Sequence, residues 1–304
     1  MVAEFDLVVG RSAAHVLGVL QAQPDARIVA GATDFIPFVR AGRWRPRLVV
    51  DITRLEELRV IRHAEGGLEI GALVSHAQLM SSPLVQQGGF QVLAEAAGHV
   101  AGPQVRTRGT LGGNICTASP AADTVPVLLV FDAQVRLVSA AGERRLPLGQ
   151  FLVGPGKTAL LPGEMLYSVS LPALPEGAGA SFGKVGKRQA LVISVVNGAA
   201  LLAPQEGRIQ QARVALGAVA STVVRCAAAE ACLVGRGQSV AQTTQAGGMH
   251  LLFEQAAVRV LEAILPIDDV RGSAAYRRAA AVGLTRRLLE EAWGGVNPWP
   301  RAAR

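Results

Sequence analysis

The sequence predicts an α+β fold in three units, and three observations carry that prediction. The chain opens on a strand–loop–helix–strand order, continues through short strands joined by tight turns, and ends with a run of strands followed by a run of helices. Its 304 residues also exceed what one core usually spans. Boundaries near residues 55 and 175 give units at 1–55, 56–175 and 176–304. The first two read as α/β subdomains, and the last as an α+β domain whose antiparallel sheet carries helices on one face.

The elements follow in order. Residues 12–21 read as a helix with Ser12 as its N-cap. The apolar run Ile28-Val29-Ala30 leads into a glycine loop, a short helix to about Val39 and a strand at 48–52. Residues 58–72 form two short strands around the Glu65-Gly66-Gly67 turn. Helices at 75–80 and 84–99 precede a second glycine loop, and the segment 108–123 is too rich in Gly, Thr, Ser and Pro for a regular helix or a central strand. An apolar segment at 124–131 comes next, then a hairpin of 134–139 with 143–147. Gly154-Pro155-Gly156-Lys157-Thr158 ends like a phosphate loop, but Phe151 stands where that motif needs its first Gly, so it reads as a turn beneath a strand. Strands at 165–171, 180–185, 192–203 and 209–219 are followed by helices at 225–234, 239–265 and 274–292.

Composition narrows the function. Half the residues are hydrophobic and 17% are charged, which supports a large core and excludes extended disorder. The net charge of +7 comes almost wholly from Arg, since Lys occurs only at 157, 184 and 187. Those Arg residues are scattered, and aromatics make up only 4%, which argues against nucleic acid and for acidic partner surfaces. Cys116, Cys226 and Cys232 have no metal or redox spacing, as expected of reduced thiols in the cytoplasm. The first residues are acidic where a secretory signal needs a basic start, and the longest apolar stretch, 190–203, is too short for a membrane span. The five His residues are isolated and read as surface or helix-end residues.

Chemistry concentrates in two loops. Ala30-Gly31-Ala32-Thr33-Asp34 follows a strand, and Gly109-Thr110-Leu111-Gly112-Gly113-Asn114 precedes Ala118-Ser119-Pro120-Ala121-Ala122-Asp123. Glycines let a backbone approach a ligand closely, and their N–H groups can cradle an anion. Hydroxyls add uncharged donors, so the pair of loops points to a pyrophosphate held by backbone rather than by basic side chains. No GxGxxG is present, so the architecture is not the standard Rossmann one. For the first loop alone, a strand-to-helix turn with Asp34 as N-cap is as good a reading as anion binding.

These loops resemble those of the flavin subunits of the molybdenum hydroxylases, the xanthine dehydrogenase and carbon monoxide dehydrogenase family. The first loop of that family reads close to AGGTDLLP and here runs from Ala30 to Pro37; the second reads close to ATIGGN followed by ASPAAD and here runs from Gly109 to Asp123. Further matches, in the same order, include Val49-Val50-Asp51-Ile52, Gln104-Val105-Arg106, Ser181-Phe182-Gly183-Lys184-Val185-Gly186-Lys187-Arg188 and Gly272-Ser273-Ala274-Ala275-Tyr276-Arg277-Arg278, so the likeness covers nearly the whole chain. It implies a p-cresol methylhydroxylase-type FAD-binding fold. It also implies that Val29, Ala30, Gly31, Ala32, Thr33, Asp34 and Phe35 wrap the FAD pyrophosphate and ribityl chain, and that Thr110, Gly112, Gly113, Asn114 and Thr117 meet the flavin and its phosphates. By the same resemblance Asp123 serves ribityl or ribose hydroxyls, the Leu166 backbone meets the flavin ring, and Lys184 lies by its pyrimidine edge. Ala32 departs from the commoner Gly, which leaves open whether φ stays negative there or affinity falls. Arg106 and Arg108 stand open between phosphate neutralisation and surface or partner contact.

The implied function is electron transfer by a medium subunit. A large molybdopterin subunit oxidises the substrate, a small subunit with two [2Fe–2S] clusters feeds this FAD, and NAD, a quinone or oxygen takes the electrons, within a dimer of heterotrimers. Neither catalytic residues nor metal ligands are implied for this chain. A stand-alone FAD oxidoreductase of the same fold and a flavin-free scaffold subunit, which only Ala32 favours, remain alternative readings.

Overall fold

The computed structural model describes residues 4–188, 191–237 and 248–296. At the N-terminus β1 (Asp6–Val9), α1 (Ala13–Ala22), β2 (Arg27–Val29), α2 (Phe35–Arg40) and β3 (Leu48–Asp51) form a parallel three-stranded sheet in the order β1-β3-β2. Ser12 caps α1 as expected, its Oγ accepting the His15 N–H at 3.1 Å. The helix then buries Val16, Leu17 and Leu20 with Val50 and Ile52, because apolar residues recur at helical spacing.

The middle of the chain contains β4 (Ile61–Ala64), β5 (Gly67–Gly71), α3 (His76–Ser81), α4 (Pro83–Gln86), α5 (Gln91–Gly98), α6 (Pro103–Arg106), α7 (Leu111–Thr117), α8 (Thr124–Val130), β6 (Gln134–Ser139), β7 (Gly142–Pro147), α9 (Leu148–Phe151), β8 (Leu152–Gly154), β9 (Lys157–Thr158) and β10 (Met165–Leu171). Five of these strands pair antiparallel in the order β4-β5-β10-β6-β7, so β10 enters late and closes the middle of the sheet. The β8–β9 pair turns through Pro155 and Gly156, whose φ is +68°; this is the turn expected there instead of a phosphate loop.

Two expectations need correction here. The helix expected over 84–99 is two helices, because Gly88 and Gly89 take φ values of +65° and +86°. The segment 108–123 does contain a regular helix, α7. Thr110 caps it by accepting the Gly113 N–H at 3.0 Å, and Ala118 ends it at φ +46°.

The last part holds β11 (Gly179–Val185), β12 (Val196–Gln205), β13 (Arg208–Gly217) and β14 (Val224–Arg225), an antiparallel meander, followed by α10 (Ala227–Leu233), α11 (Gly248–Arg259) and α12 (Ala274–Val296). Of the helix expected over 239–265, residues 239–247 lie outside the described residues, and Val260–Glu262 finishes it as a 3-10 turn. Helices were expected on one face of this sheet, yet both faces are covered. Leu284 and Leu288 of α12 pack on one side; on the other, Phe182, Ala199, Leu201 and Ala215 join the core that contains Val127 and Leu128 of α8. Residues 196–203 of β12 are accordingly buried without alternation.

Candidate functional site

A cleft of about 630 Å³ opens between the parallel sheet and the antiparallel sheet that follows it, a size typical of small-molecule sites. Both glycine loops wall it, together with the segment 160–166 that leads into β10. Arg27 and Trp44 contribute from the segment that holds the parallel sheet, and Val100 and Ala101 from the turn after α5.

The first loop leaves β2 at Val29 and turns at Ala32, whose φ is +61°. This resolves the question raised by the Ala: the position is left-handed, at roughly 1–2 kcal/mol for a residue bearing a Cβ. Asp34 stands at the helix start but makes no capping bond; its Oδ2 instead accepts the Thr117 hydroxyl at 3.0 Å, tying the first loop to the second. The loops also touch backbone to backbone, since a Cβ on Gly31 would lie 1.8 Å from the Arg108 carbonyl oxygen. Among the described residues, the N–H groups of Gly31, Ala32, Thr33 and Asp34 find no acceptor within the protein.

The second loop differs. Its amides are already used: Leu111 donates to Val74, Gly112 to Ala72, and Gly113 to Thr110 Oγ1. Gly112 is there for packing, because a Cβ would come 2.7 Å from Ala72. A Cβ on Gly113 would meet only Thr110 Oγ1, at 2.9 Å, and otherwise open space. Asn114 Oδ1 accepts the Thr124 hydroxyl at 2.8 Å, which fixes that side chain at the cleft wall.

Val29, Ala30, Gly31, Ala32, Thr33, Asp34, Phe35, Thr110, Gly112, Gly113, Asn114, Thr117 and Leu166 all line this cleft. Asp123 and Lys184 do not. They are buried against one another, with Lys184 Nζ 2.6 Å from Asp123 Oδ2. Ser194 Oγ and Asn197 Nδ2 donate to Asp123 Oδ1 at 2.7 and 2.9 Å, so the carboxylate is already satisfied by protein. Lys184 Nζ also donates to the His99 carbonyl at 3.2 Å, next to the Val100 and Ala101 that line the cleft. Arg106 does the same for that turn, donating to the Val100 and Ala101 carbonyls at 3.1 and 2.8 Å rather than reaching an anion.

Among the described residues that line the cleft, Arg27 is the one with a fixed positive charge, and it stacks on Trp44 at 4.0 Å. Cys116 also lines the cleft, but burial pushes its thiol up to about 12, so it stays protonated. His76 lines it too. Burial, followed by the nearby Arg106, pulls its pKa down to about 4, so the imidazole is neutral. Sequence reasoning left His76, Arg27 and Trp44 out of the site. The available signal for His76 was the box Ser75-His76-Ala77-Gln78 between Leu73-Val74 and Leu79, which puts this His on the first turn of a helix with apolar neighbours on either side.

With the cleft described, similarity to known proteins is informative. The family described as the FAD binding domain in molybdopterin dehydrogenase matches residues 3–174, and the CO dehydrogenase flavoprotein C-terminal domain matches residues 181–292. The chain belongs to the FAD-binding medium subunits of the molybdenum hydroxylase family. Among relatives of this family, the 6-hydroxypseudooxynicotine dehydrogenase complex subunit alpha of Paenarthrobacter nicotinovorans is 36% identical over 297 residues, covering 97% of this chain and 96% of its own. Among solved structures, carbon monoxide dehydrogenase from Hydrogenophaga pseudoflava superposes with a TM-score of 0.87 at 31% identity, over 97% of this chain and 99% of the other. Quinoline 2-oxidoreductase from Pseudomonas putida 86 gives 0.87 at 30% identity, over the same shares. The α+β fold and the FAD-dependent dehydrogenase class read from the sequence agree with these medium subunits. Among the described residues no helix is long and apolar enough to cross a membrane.

Proposed function

We propose that this cleft holds FAD between the two glycine loops, and that the chain is the electron-transfer subunit of a cytoplasmic molybdenum hydroxylase. The observation that carries the reading is the row of backbone donors at Gly31–Asp34, unpaired among the described residues, in a cleft whose described lining holds a single fixed cation. Such donors suit the pyrophosphate of a dinucleotide and need no Lys or Arg. FAD, when bound, supplies a centre that accepts electrons singly or in pairs. Val29 to Phe35, Thr110, Gly112, Gly113, Asn114, Thr117 and Leu166 then bind and orient it, and the apolar wall of Ile52, Leu73 and Leu166 excludes water. Asp123 and Lys184 act on one end of the cleft from behind, by holding the 99–101 turn and, through the neighbouring Thr124, the Asn114 side chain. Because the ammonium is paired with a carboxylate, it works there as one end of a dipole rather than as a lone charge.

In this reading the chain receives electrons from two [2Fe–2S] clusters of a small partner subunit, after a large molybdopterin subunit has oxidised the substrate. It passes them to NAD, a quinone or oxygen, within a dimer of heterotrimers. The division at residues 55 and 175 belongs to the same proposal, since it sets the cleft between the first two units.

Titrating the flavin-free chain with FAD, read by flavin absorbance and fluorescence, tests it. Wild type should take up FAD and Gly113→Val should not, while keeping its far-ultraviolet circular dichroism, because beyond a small shift of the Thr110 hydroxyl the new side chain meets only the cleft. Gly31→Val should lose the fold of the loop pair as well, given the 1.8 Å approach to Arg108. Full FAD occupancy in Gly113→Val would remove the second loop from the site, and no uptake by wild type would favour a flavin-free scaffold.

A further inference from the structure

We infer that His76 is a neutral hydrogen-bonding residue for the phosphates of the dinucleotide, supplying from a side chain what the second glycine loop withholds. The inference rests on the FAD reading of the cleft and adds to it a residue outside both loops.

The backbone at His76 is fixed on both sides. Ser75 Oγ accepts the Gln78 N–H at 3.2 Å and Gln78 Oε1 accepts the Ser75 N–H at 2.9 Å, a closed capping box that leaves His76 as the first residue of α3. The His76 N–H donates to the Gly109 carbonyl at 3.0 Å, which docks α3 on the start of the second loop. The side chain is as constrained as the backbone, being only 2% exposed.

The ring nitrogens are in different situations. Nδ1 is sealed from solvent and has no partner among the described residues. Nε2 is neither sealed nor bonded among the described residues, so it is the nitrogen through which the ring meets the cleft. The adjacent carbon, Cδ2, would lie 3.3 Å from a Cβ built on Gly109, and Thr33 Oγ1 would lie 3.5 Å from that same point. The Nε2 edge of the ring therefore faces the place where the two loops meet.

Two physical consequences follow. A buried imidazole with an orphaned nitrogen is less favourable than a hydrocarbon of similar size, so its value here must come from the other nitrogen. With Nδ1 lacking an acceptor, the proton is best carried on Nε2, which makes that atom a donor. Burial above all, and then the nearby Arg106, oppose protonation of the ring, so the donor is uncharged at neutral pH. The amides of Leu111, Gly112 and Gly113 are committed to the protein, and an uncharged Nε2–H beside them completes a donor set that Gly31–Asp34 begin.

The test uses the full-length, flavin-free chain with FAD, ADP and adenosine as probes, binding being measured by calorimetry and fold by circular dichroism. His76→Phe should bind ADP and FAD about three- to tenfold more weakly, as for the loss of one neutral hydrogen bond, with adenosine unchanged. His76→Gln, whose amide nitrogen reaches a similar distance, should restore most of the loss. The Nε2 resonance of ¹⁵N-labelled His76 should shift when ADP is added to wild type, a readout that stands even if the Phe variant does not fold. A folded His76→Phe that binds ADP as tightly as wild type, equal losses for ADP and adenosine, or an unmoved Nε2 resonance would each overturn the inference and leave the FAD reading standing. A wild-type chain that binds neither FAD nor ADP would overturn both.

Discussion

Replacing Lys184 by Met tests the buried ion pair at the end of the cleft. The two charged groups lie 2.6 Å apart, and their side chains are only 7% and 8% exposed. At an effective dielectric near 20, their attraction is of the order of 6 kcal/mol before desolvation is set against it. What the experiment reads is the cost of leaving Asp123 buried without its cation, about 3–5 kcal/mol for pairs of this kind. Ser194 and Asn197 still donate to Oδ1, but Oδ2 loses its only partner among the described residues. A loss of that size lowers the melting temperature by roughly 6–15 °C in a chain of this length. Asp123→Asn should destabilise comparably, since it strands the ammonium. The double variant should be less destabilised than the sum of the singles by about 2 kcal/mol or more, because neither charge is then left alone. Urea unfolding of the four proteins supplies every number in the cycle. Singles within about 1 kcal/mol of wild type, or strictly additive losses, would show that the pair is solvated in solution and that the cleft end is not built on it.

Three further outcomes are expected. Ala32→Gly relieves a left-handed Cβ worth roughly 1–2 kcal/mol and loosens the unfolded chain by about 0.4–1, so thermal unfolding should show equal or slightly higher stability with FAD affinity no weaker; a clear loss of either would mean that the +61° turn is not under strain. His76 titrates at 6.5 when unfolded and about 4 when folded, so the unfolded state binds the extra proton between those values and wild type loses about 3 kcal/mol on acidification from 6.5 to 4; His76→Gln should flatten that limb of the pH–stability curve, and an unchanged slope would refute it. Arg271 first, and then Arg277, hold the Asp269 carboxyl well below the usual carboxylate range, so its contribution is complete above about pH 4 and fades as the pH falls further. Asp269→Asn should therefore be less stable than wild type at neutral pH and converge with it in acid; parallel curves would exclude this linkage.

Much of the fold was legible because local chemistry decided it. Ser12 before an apolar helical repeat, the Ala140-Ala141-Gly142 turn between two short runs, and the Ser75–Gln78 box each fix an element without help from distant residues. Where reading failed, tertiary contacts had overruled composition. Glycines at 112 and 113 argue against a helix, yet α7 forms because Ala72 leaves no room for a side chain there and Thr110 caps the turn. The strand expected to end at 203 runs on to Gln205 by shifting register between Ala203 and Pro204. The lining of the cleft was largely readable from two loops, since a strand-to-glycine-loop motif is local. The pairing of Lys184 with Asp123, 61 residues apart, was not, because nothing in either neighbourhood names the other. The Ser75–Gln78 box could place His76 at a helix start, but not its role, which arises from a ring nitrogen that only the folded chain isolates.

The two-sided burial of β12 has a consequence for how such subunits diversify. The two family matches, residues 3–174 and 181–292, look like pieces that evolution could exchange between relatives. Yet one face of the second piece is greased by Phe182, Ala199, Leu201 and Ala215 and meshes with α8 of the first. A chimera that joined this front half to another relative's back half would have to inherit a matching relief on that face, methyl for methyl, or open voids worth several kcal/mol. Recombination at the 174–181 seam should therefore succeed only between partners whose α8 and β12 have drifted together, so two segments that are separable on paper are inherited as one.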